Sequence, residues 1–261
     1  MTSLCDRYGD DGVVAVRDVL DRGALAELAA AVEENLDAPG PWANDYTPPG
    51  ATGRFFGDYV NWSRIAGYRR AALGGPLAAL ATELLGEPAR FFHEHVLVKE
   101  PGTDEATPWH HDEPYYCLDA ATNVSLWVPL DPVQASAGVR FVRGSHRWGR
   151  RFVPRRFVDA VPYADAGDGF ELVPDVDALV DPDDIVAFDL APGDVLAFHF
   201  RILHAAPGTA GLLDGRRRAV SFRYVGHDTR FAGRPWLHSP PFDPIEPGAV
   251  LDDERFPRVP A

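Results

Sequence analysis

Residues Thr107-Pro108-Trp109-His110-His111-Asp112-Glu113-Pro114-Tyr115-Tyr116 put two imidazoles and a carboxylate at three consecutive positions. In an extended chain residues i and i+2 project to one face, so His110 and Asp112 point together and His111 points away. An imidazole and a carboxylate on one face, completed by a second imidazole from elsewhere, make the 2-His-1-carboxylate triad that holds Fe(II) and leaves coordination positions open. A His-x-Asp tripeptide on its own is equally a satisfied surface or core histidine beside an acid, so the rest of the chain must supply the other parts.

Nine histidines are available: His93, His95, His110, His111, His146, His199, His204, His227 and His238. A distal ligand belongs at the end of a strand far along the chain, and His204 fits. It closes the apolar run that starts at Asp194 and is followed by Ala205-Ala206-Pro207-Gly208. His199 lies mid-run between Phe198 and Phe200 and reads as a buried histidine; five residues from His204, it faces the other side of a regular strand. A carboxylate-bearing cosubstrate needs a fixed cation, for which the planar fork of arginine is suited. Alternation after Arg216 places Arg217, Ala219, Ser221 and Arg223 on one face, so Arg217 and Ser221 are candidates to meet a carboxylate. The competing reading is that Arg216, Arg217 and Arg218 are solvated or salt-bridged at a hairpin.

The elements that must position these groups follow from periodicity. Val13–Val16 reads as a strand, Asp21 as an N-cap, and Leu25, Leu28, Val32 and Leu36 as one face of a helix over 23–36. Residues 37–62 are rich in Pro and Gly and read as a long loop, either covering the site or plugging the core with Phe55, Phe56 and Trp62. A second helix is expected over 76–85, stopped by Gly86. Strands follow at 90–99, 122–130, 139–142, 185–188, 194–204 and 218–225, with an irregular segment at 147–184 that holds Arg150, Arg151, Arg155 and Arg156. Those arginines either draw an anionic substrate or pair with nearby Asp159 and Asp165. Phe55, Phe56, Tyr115 and Tyr116 are candidates for an aromatic wall. The Pro-rich tail, 229–261, is expected to wrap the surface. Many short strands after a helical first third predict a β-barrel or sandwich faced by helices, in one domain spanning 1–261.

Composition narrows the function classes. The net charge of −14 and pI near 5.0 disfavour nucleic acid and anionic membrane as partners. Cys5 and Cys117 make no disulfide framework or metal motif, and no apolar run reaches membrane-span length, so a cytoplasmic enzyme acting on a small molecule is expected.

Several stretches in order, Val96-Leu97-Val98-Lys99-Glu100-Pro101-Gly102-Thr103, Pro108 to Tyr116, Ser125-Leu126-Trp127-Val128-Pro129-Leu130-Asp131, Gly144-Ser145-His146, and Pro192-Gly193-Asp194 through His204, resemble the signatures of the phytanoyl-CoA dioxygenase family. The resemblance implies a double-stranded β-helix (jelly-roll) core and an Fe(II)- and 2-oxoglutarate-dependent dioxygenase that uses O₂ and releases succinate and CO₂. It implies His110, Asp112 and His204 as iron ligands, Arg217 as partner of the distal 2-oxoglutarate carboxylate, and Trp127 and His95 as residues lining the cosubstrate. His111 stands where that family usually has glutamine, and Ala206 where a serine assists 2-oxoglutarate. Related halogenases replace the carboxylate with a small residue, so Asp112 favours hydroxylation or another oxidative outcome such as desaturation. The substrate class it leaves open is broad, secondary metabolites and their precursors included. Alternatives are a non-redox metalloenzyme on the same barrel and a catalytically silent protein that binds 2-oxoglutarate or metal.

Overall fold

The computed structural model describes residues 2–47, 50–103, 105–156, 161–163, 169–208, 215–234, 236 and 246–260. In chain order the first half runs α1 (Leu4–Asp11), β1 (Val13–Val16), α2 (Arg22–Asp37), β2 (Asn44–Asp45), β3 (Phe55–Tyr59), α3 (Ala66–Leu73), α4 (Gly75–Leu85), β4 (Ala89–Lys99) and β5 (Thr107–His110). Then come β6 (Leu118–Asp119), β7 (Asn123–Pro129), β8 (Arg140–Val142), α5 (Val176–Leu179), β9 (Ile185–Val186), β10 (Val195–Phe198), β11 (His204–Ala206), β12 (Arg217–Gly226) and β13 (Arg230–Phe231).

Two antiparallel sheets form the double-stranded β-helix. The larger has the order β1-β10-β7-β12-β4-β3-β2 and the smaller β5-β11-β8-β9. Helices α1 to α4 cover one face of the larger sheet, where Leu28, Val32, Tyr68, Leu77 and Leu84 pack with Val96, Val98, Leu126, Val128, Val220 and Phe222. Because side chains alternate along a strand, the intervening residues of β4 and β12 face the other way, into the space between the sheets. A β-bulge between Arg223 and Tyr224 leaves Phe92 unpaired. Phe91 on one side of it packs under the helices, while His93, next after the bulge, lines the interior.

The expected helix caps are present. Asp21 accepts from the Ala24 amide at 2.8 Å, and Gly86 ends α4 at φ 67, a left-handed conformation that costs glycine little. Helix α1 was not expected, although Ser3 and Asp6 form a reciprocal capping box at its start.

Four expectations need correction. The segment 37–62 is not one loop: β2 and β3 extend the larger sheet within it, and Asp58 of β3 ties it down by accepting from the Asn35 side chain and the Gly40 amide, both at 2.7 Å. The run 194–204 is not one strand. Strand β10 ends at Phe198, the Ile202 amide folds back onto the His199 carbonyl at 3.0 Å, and His204 opens β11 in the other sheet. Strand character in 185–188 stops at Val186. The tail does more than wrap the surface: Phe256 is fully buried beside Phe92, and the Val259 amide donates to the Ala89 carbonyl at 3.0 Å. No helix among the described residues is long and apolar enough to cross a membrane.

Candidate metal centre and its cavity

His110 and His204 are direct partners in the β5–β11 ladder, and their ring centroids lie 4.1 Å apart. Asp112 follows at once. Strand β5 stops at His110, and Asp112 has helical backbone (φ −75, ψ −34) at the start of a short turn, so it reaches the site by a chain reversal instead of by strand alternation. Its amide and that of Glu113 donate to the Phe200 carbonyl at 2.8 and 3.0 Å, pinning the reversal to the turn between β10 and β11. Ligand atoms from His110, Asp112 and His204 all lie within 4.8 Å of one another. Asp112 Oδ1 is 3.6 Å from His110 Nε2 and 3.7 Å from His204 Nε2.

The hydrogen bonds fix which nitrogens are free. His110 Nδ1 donates to the Pro108 carbonyl at 2.8 Å and His204 Nδ1 to the Ile202 carbonyl at 3.0 Å. A carbonyl can only accept, so both protons sit on Nδ1 and both Nε2 lone pairs face the centre. Burial, then the His110 ring, push the His204 imidazole down to about 3, which leaves it neutral at neutral pH. Burial works against ionising Asp112, yet the His110 contact, His204 and Arg223 outweigh it and hold its carboxyl well below the usual range. A neutral His204, a His110 whose Nε2 turns to the same point, and an ionised carboxylate, buried and convergent, fit a divalent first-row metal such as iron.

Tyr116 supports this set from behind. Its hydroxyl donates to Asp112 Oδ2 at 2.7 Å and accepts from Arg223 Nε, while Arg223 Nη2 stands 3.7 Å from the same carboxylate. Tyr116 and Arg223 were not expected to act together; one lies four residues past the motif and the other on a strand over a hundred residues later, so only the fold joins them.

The donors open onto a cavity of about 410 Å³ between the sheets. Along its larger-sheet wall, Lys99 stands opposite Arg217, Leu97 opposite Ala219, His95 opposite Ser221, and His93 opposite Arg223. Lys99 was missed in the sequence. Like charges facing each other across a strand pair are unfavourable unless something anionic joins them. Neither Lys99 nor Arg217 makes an ion pair with a carboxylate among the described residues, although both are buried. Arg217 Nη1 donates to the Ala137 carbonyl at 2.7 Å, and Lys99 lies 4.6 Å from the Phe55 ring. Burial, then Arg217, push the Lys99 ammonium down to about 7, with Glu105 partly opposing. Arg216 and Arg218, one residue either side, turn outward to Glu33 and, for Arg218, also to Asp131. The hairpin-salt-bridge reading thus describes those two and not Arg217.

Ser221 also lines the cavity but lies four residues along β12 from Arg217, about 13 Å of strand; Trp127 pairs with Ser221 in register, and His95 faces it from β4. His111 points away from the centre: its Nε2 accepts from the Phe152 amide at 3.0 Å. His199 is held by Asn123 and the Arg201 amide. Of the aromatic-wall candidates, Phe55, Tyr115 and Tyr116 line the cavity, whereas Phe56 belongs to the core under the helices. The arginine cluster divides. Arg150 pairs with Glu171 and Arg151 with Glu113, while Arg155 and Arg156 reach the cavity mouth; Asp159 and Asp165, as well as His238, lie outside the described residues.

A sequence model of the phytanoyl-CoA dioxygenase family matches residues 8–218. The chain belongs to the phytanoyl-CoA dioxygenase family. Among solved structures, it is similar to the non-heme alpha-ketoglutarate-dependent epimerase SnoN from nogalamycin biosynthesis, with 27% identity over 99% of this chain and 97% of that one, at a TM-score of 0.77. SnoN has also been solved with Fe3+, alpha-ketoglutarate and nogalamycin RO. The carbocyclase SnoK from the same biosynthesis shares 25% identity over 98% of this chain and 95% of that one, at a TM-score of 0.78. EctD from S. alaskensis, solved with 2-oxoglutarate and 5-hydroxyectoine, shares the fold at 19% identity, covering 92% of this chain and 84% of that one, at a TM-score of 0.68. The family match ends at residue 218, so the rest of β12 and the tail residue Trp236, which lines the cavity and donates from Nε1 to the Pro114 carbonyl at 2.9 Å, lie beyond it.

Proposed function

We propose that this protein is an Fe(II)- and 2-oxoglutarate-dependent oxygenase that oxidises a C–H bond of a small molecule, with hydroxylation as the first outcome, as one catalytic domain spanning 1–261. The observation that carries the reading is one cavity holding both a convergent His110–Asp112–His204 donor set and an unneutralised Lys99–Arg217 cation pair. The bound iron supplies the activation of O₂ and 2-oxoglutarate that yields succinate, CO₂ and an oxidised substrate.

The chain's own residues do the positioning. His110, Asp112 and His204 would hold the metal. Arg217 and Lys99 take the distal carboxylate of 2-oxoglutarate, and Trp127, Ser221 and His95 line the path between that end and the metal. Tyr115, Tyr163 and Trp236 close the remaining wall and keep water from the reacting carbon.

A second outcome is supported by the likeness to SnoN and SnoK, named as an epimerase and a carbocyclase: oxidation without insertion of oxygen into the product. The same likeness favours a ring-bearing secondary metabolite, or its precursor, as substrate. Both described cysteines are free, in keeping with action in the reducing cytoplasm.

Anaerobic protein titrated with Fe(II) and 2-oxoglutarate should develop the visible charge-transfer absorption of the chelate, and on exposure to air should form succinate. Absorption without succinate across a broad substrate panel would favour a silent binder. Metal binding with neither signal would favour a non-redox metalloenzyme.

A further inference from the structure

At the end of the cavity away from Lys99 and Arg217 stands a second polar group, of which the chemistry above uses neither His93 nor the Nη1 of Arg223. His93 lies six positions before Lys99 on β4, about 20 Å of strand, which is longer than any five-carbon diacid. Here His93 and Arg223 face each other in register, with His95 and Ser221 as the next pair and Tyr59 beside His95. His93 and Arg223 are 3% and 6% exposed. Arg223 Nη1 and the Nε2 atoms of His93 and His95 are buried without a hydrogen-bond partner among the described residues. Leaving such atoms unsatisfied is costly, and three in one corner of a cavity mark a place where a ligand completes the bonding.

The tautomer of His93 makes the corner selective. Its Nδ1 lies 3.0 Å from the Glu94 carbonyl, which can only accept, so the proton is on Nδ1 and Nε2 is left as a bare acceptor. Arg223 Nη1 can only donate. A hydroxyl group satisfies both, accepting from Arg223 and donating to His93; an ether or ketone leaves His93 unsatisfied, and a carboxylate sets its charge against the imidazole lone pair. The neighbouring walls are aromatic, with Tyr59 5.3 Å from His95 and Tyr116 5.6 Å from His93 by ring centroids. Gly57 keeps the adjoining space open: a Cβ there would lie 2.7 Å from the Tyr46 ring and 3.3 Å from His95 Nε2.

We infer that His93 and Arg223 form a specificity subsite for a hydroxyl carried on an apolar, ring-bearing substrate, at the Asp112 side of the metal centre. Its place relative to the metal rests on the oxygenase reading, whereas the binding preference does not.

The test compares 2-naphthol with 2-methoxynaphthalene, which keeps the acceptor and lacks the donor, on anaerobic protein loaded with Fe(II) and 2-oxoglutarate. Wild-type protein should bind 2-naphthol about tenfold more tightly. The preference should vanish in His93→Leu, or in His93→Phe if the leucine variant does not fold, and return in His93→Gln, which restores an acceptor near the Nε2 position. Equal binding of the two probes, no binding of either, or a preference unchanged in His93→Leu overturns the subsite. Cosubstrate loading is read separately from the charge-transfer absorption, and the titration is repeated on metal-free protein. A naphthol preference without any chelate signal would keep the subsite and remove the oxygenase reading.

Discussion

His110 and His204 face each other as a register pair of β5 and β11, so a single strand ladder sets the spacing of the two imidazoles. Each ring is also locked by its Nδ1 hydrogen bond to the carbonyl two residues before it. Replacing either histidine by alanine should weaken Fe(II) binding more than about 100-fold, beyond the usual cost of losing an outer partner of a ligand. Asp112→Ala should abolish succinate formation. Unchanged metal binding in the His110→Ala/His204→Ala double variant would remove the ligand assignment.

Tyr116→Phe deletes the hydroxyl that bridges Asp112 and Arg223 while keeping the ring against Phe92 and Phe200. Metal affinity or turnover should fall roughly 10- to 100-fold. A variant that matches wild type in both would show that the bridge does not orient the carboxylate.

Lys99 gives 2-oxoglutarate binding a pH dependence. Its ammonium, pushed down to about 7, faces the ligand carboxylate only while protonated, so affinity should weaken as pH rises through about 7, leaving Arg217 alone. Lys99→Met should bind more weakly at low pH and show a flatter profile, and a profile identical to wild type would exclude Lys99 from the site. The stability sign runs the opposite way. The unfolded lysine titrates near ~10.4, so between the two values the unfolded chain holds more protons and the cosubstrate-free protein gains stability as pH rises.

His111 supports the site from the far side by accepting from the Phe152 amide. His111→Leu leaves that buried N–H unpaired and should cost about 1–3 kcal/mol by chemical denaturation. His111→Gln retains an acceptor, and loss as large as that in the leucine variant would show that the hydrogen bond contributes nothing.

The metal donors were legible because His110 and Asp112 share a short motif and His204 stands at the end of an apolar run, shortly before Pro207-Gly208. The route to them was misread: apolar residues continue through 194–204 without marking the turn at 199–203, where backbone bonds decide the geometry. His199 was set aside on strand parity, yet the break in the strand and its bonds to Asn123 and Arg201 are what keep it from the metal. Lys99, Tyr116, His93 and Arg223 acquire meaning only from register across β4 and β12 or from the chain reversal at Asp112. Phe55 and Phe56 show the same limit. Adjacent in sequence and alike in chemistry, they part to cavity and core because β3 is a strand where Pro and Gly content suggested a loop.

The alternation of β12 separates recognition from folding within ten consecutive residues. A substitution scan along it should give a phenotype of period two up to the bulge. Changes at 217, 219 and 221 should alter which molecules are held while the fold persists, and a change at 223 should also disturb the Asp112 carboxylate, whereas Val220→Ala and Phe222→Ala should destabilise the fold, the latter by about 3–5 kcal/mol. Selection for a new substrate can therefore move along one face of this strand without drawing on the stability stored in the other.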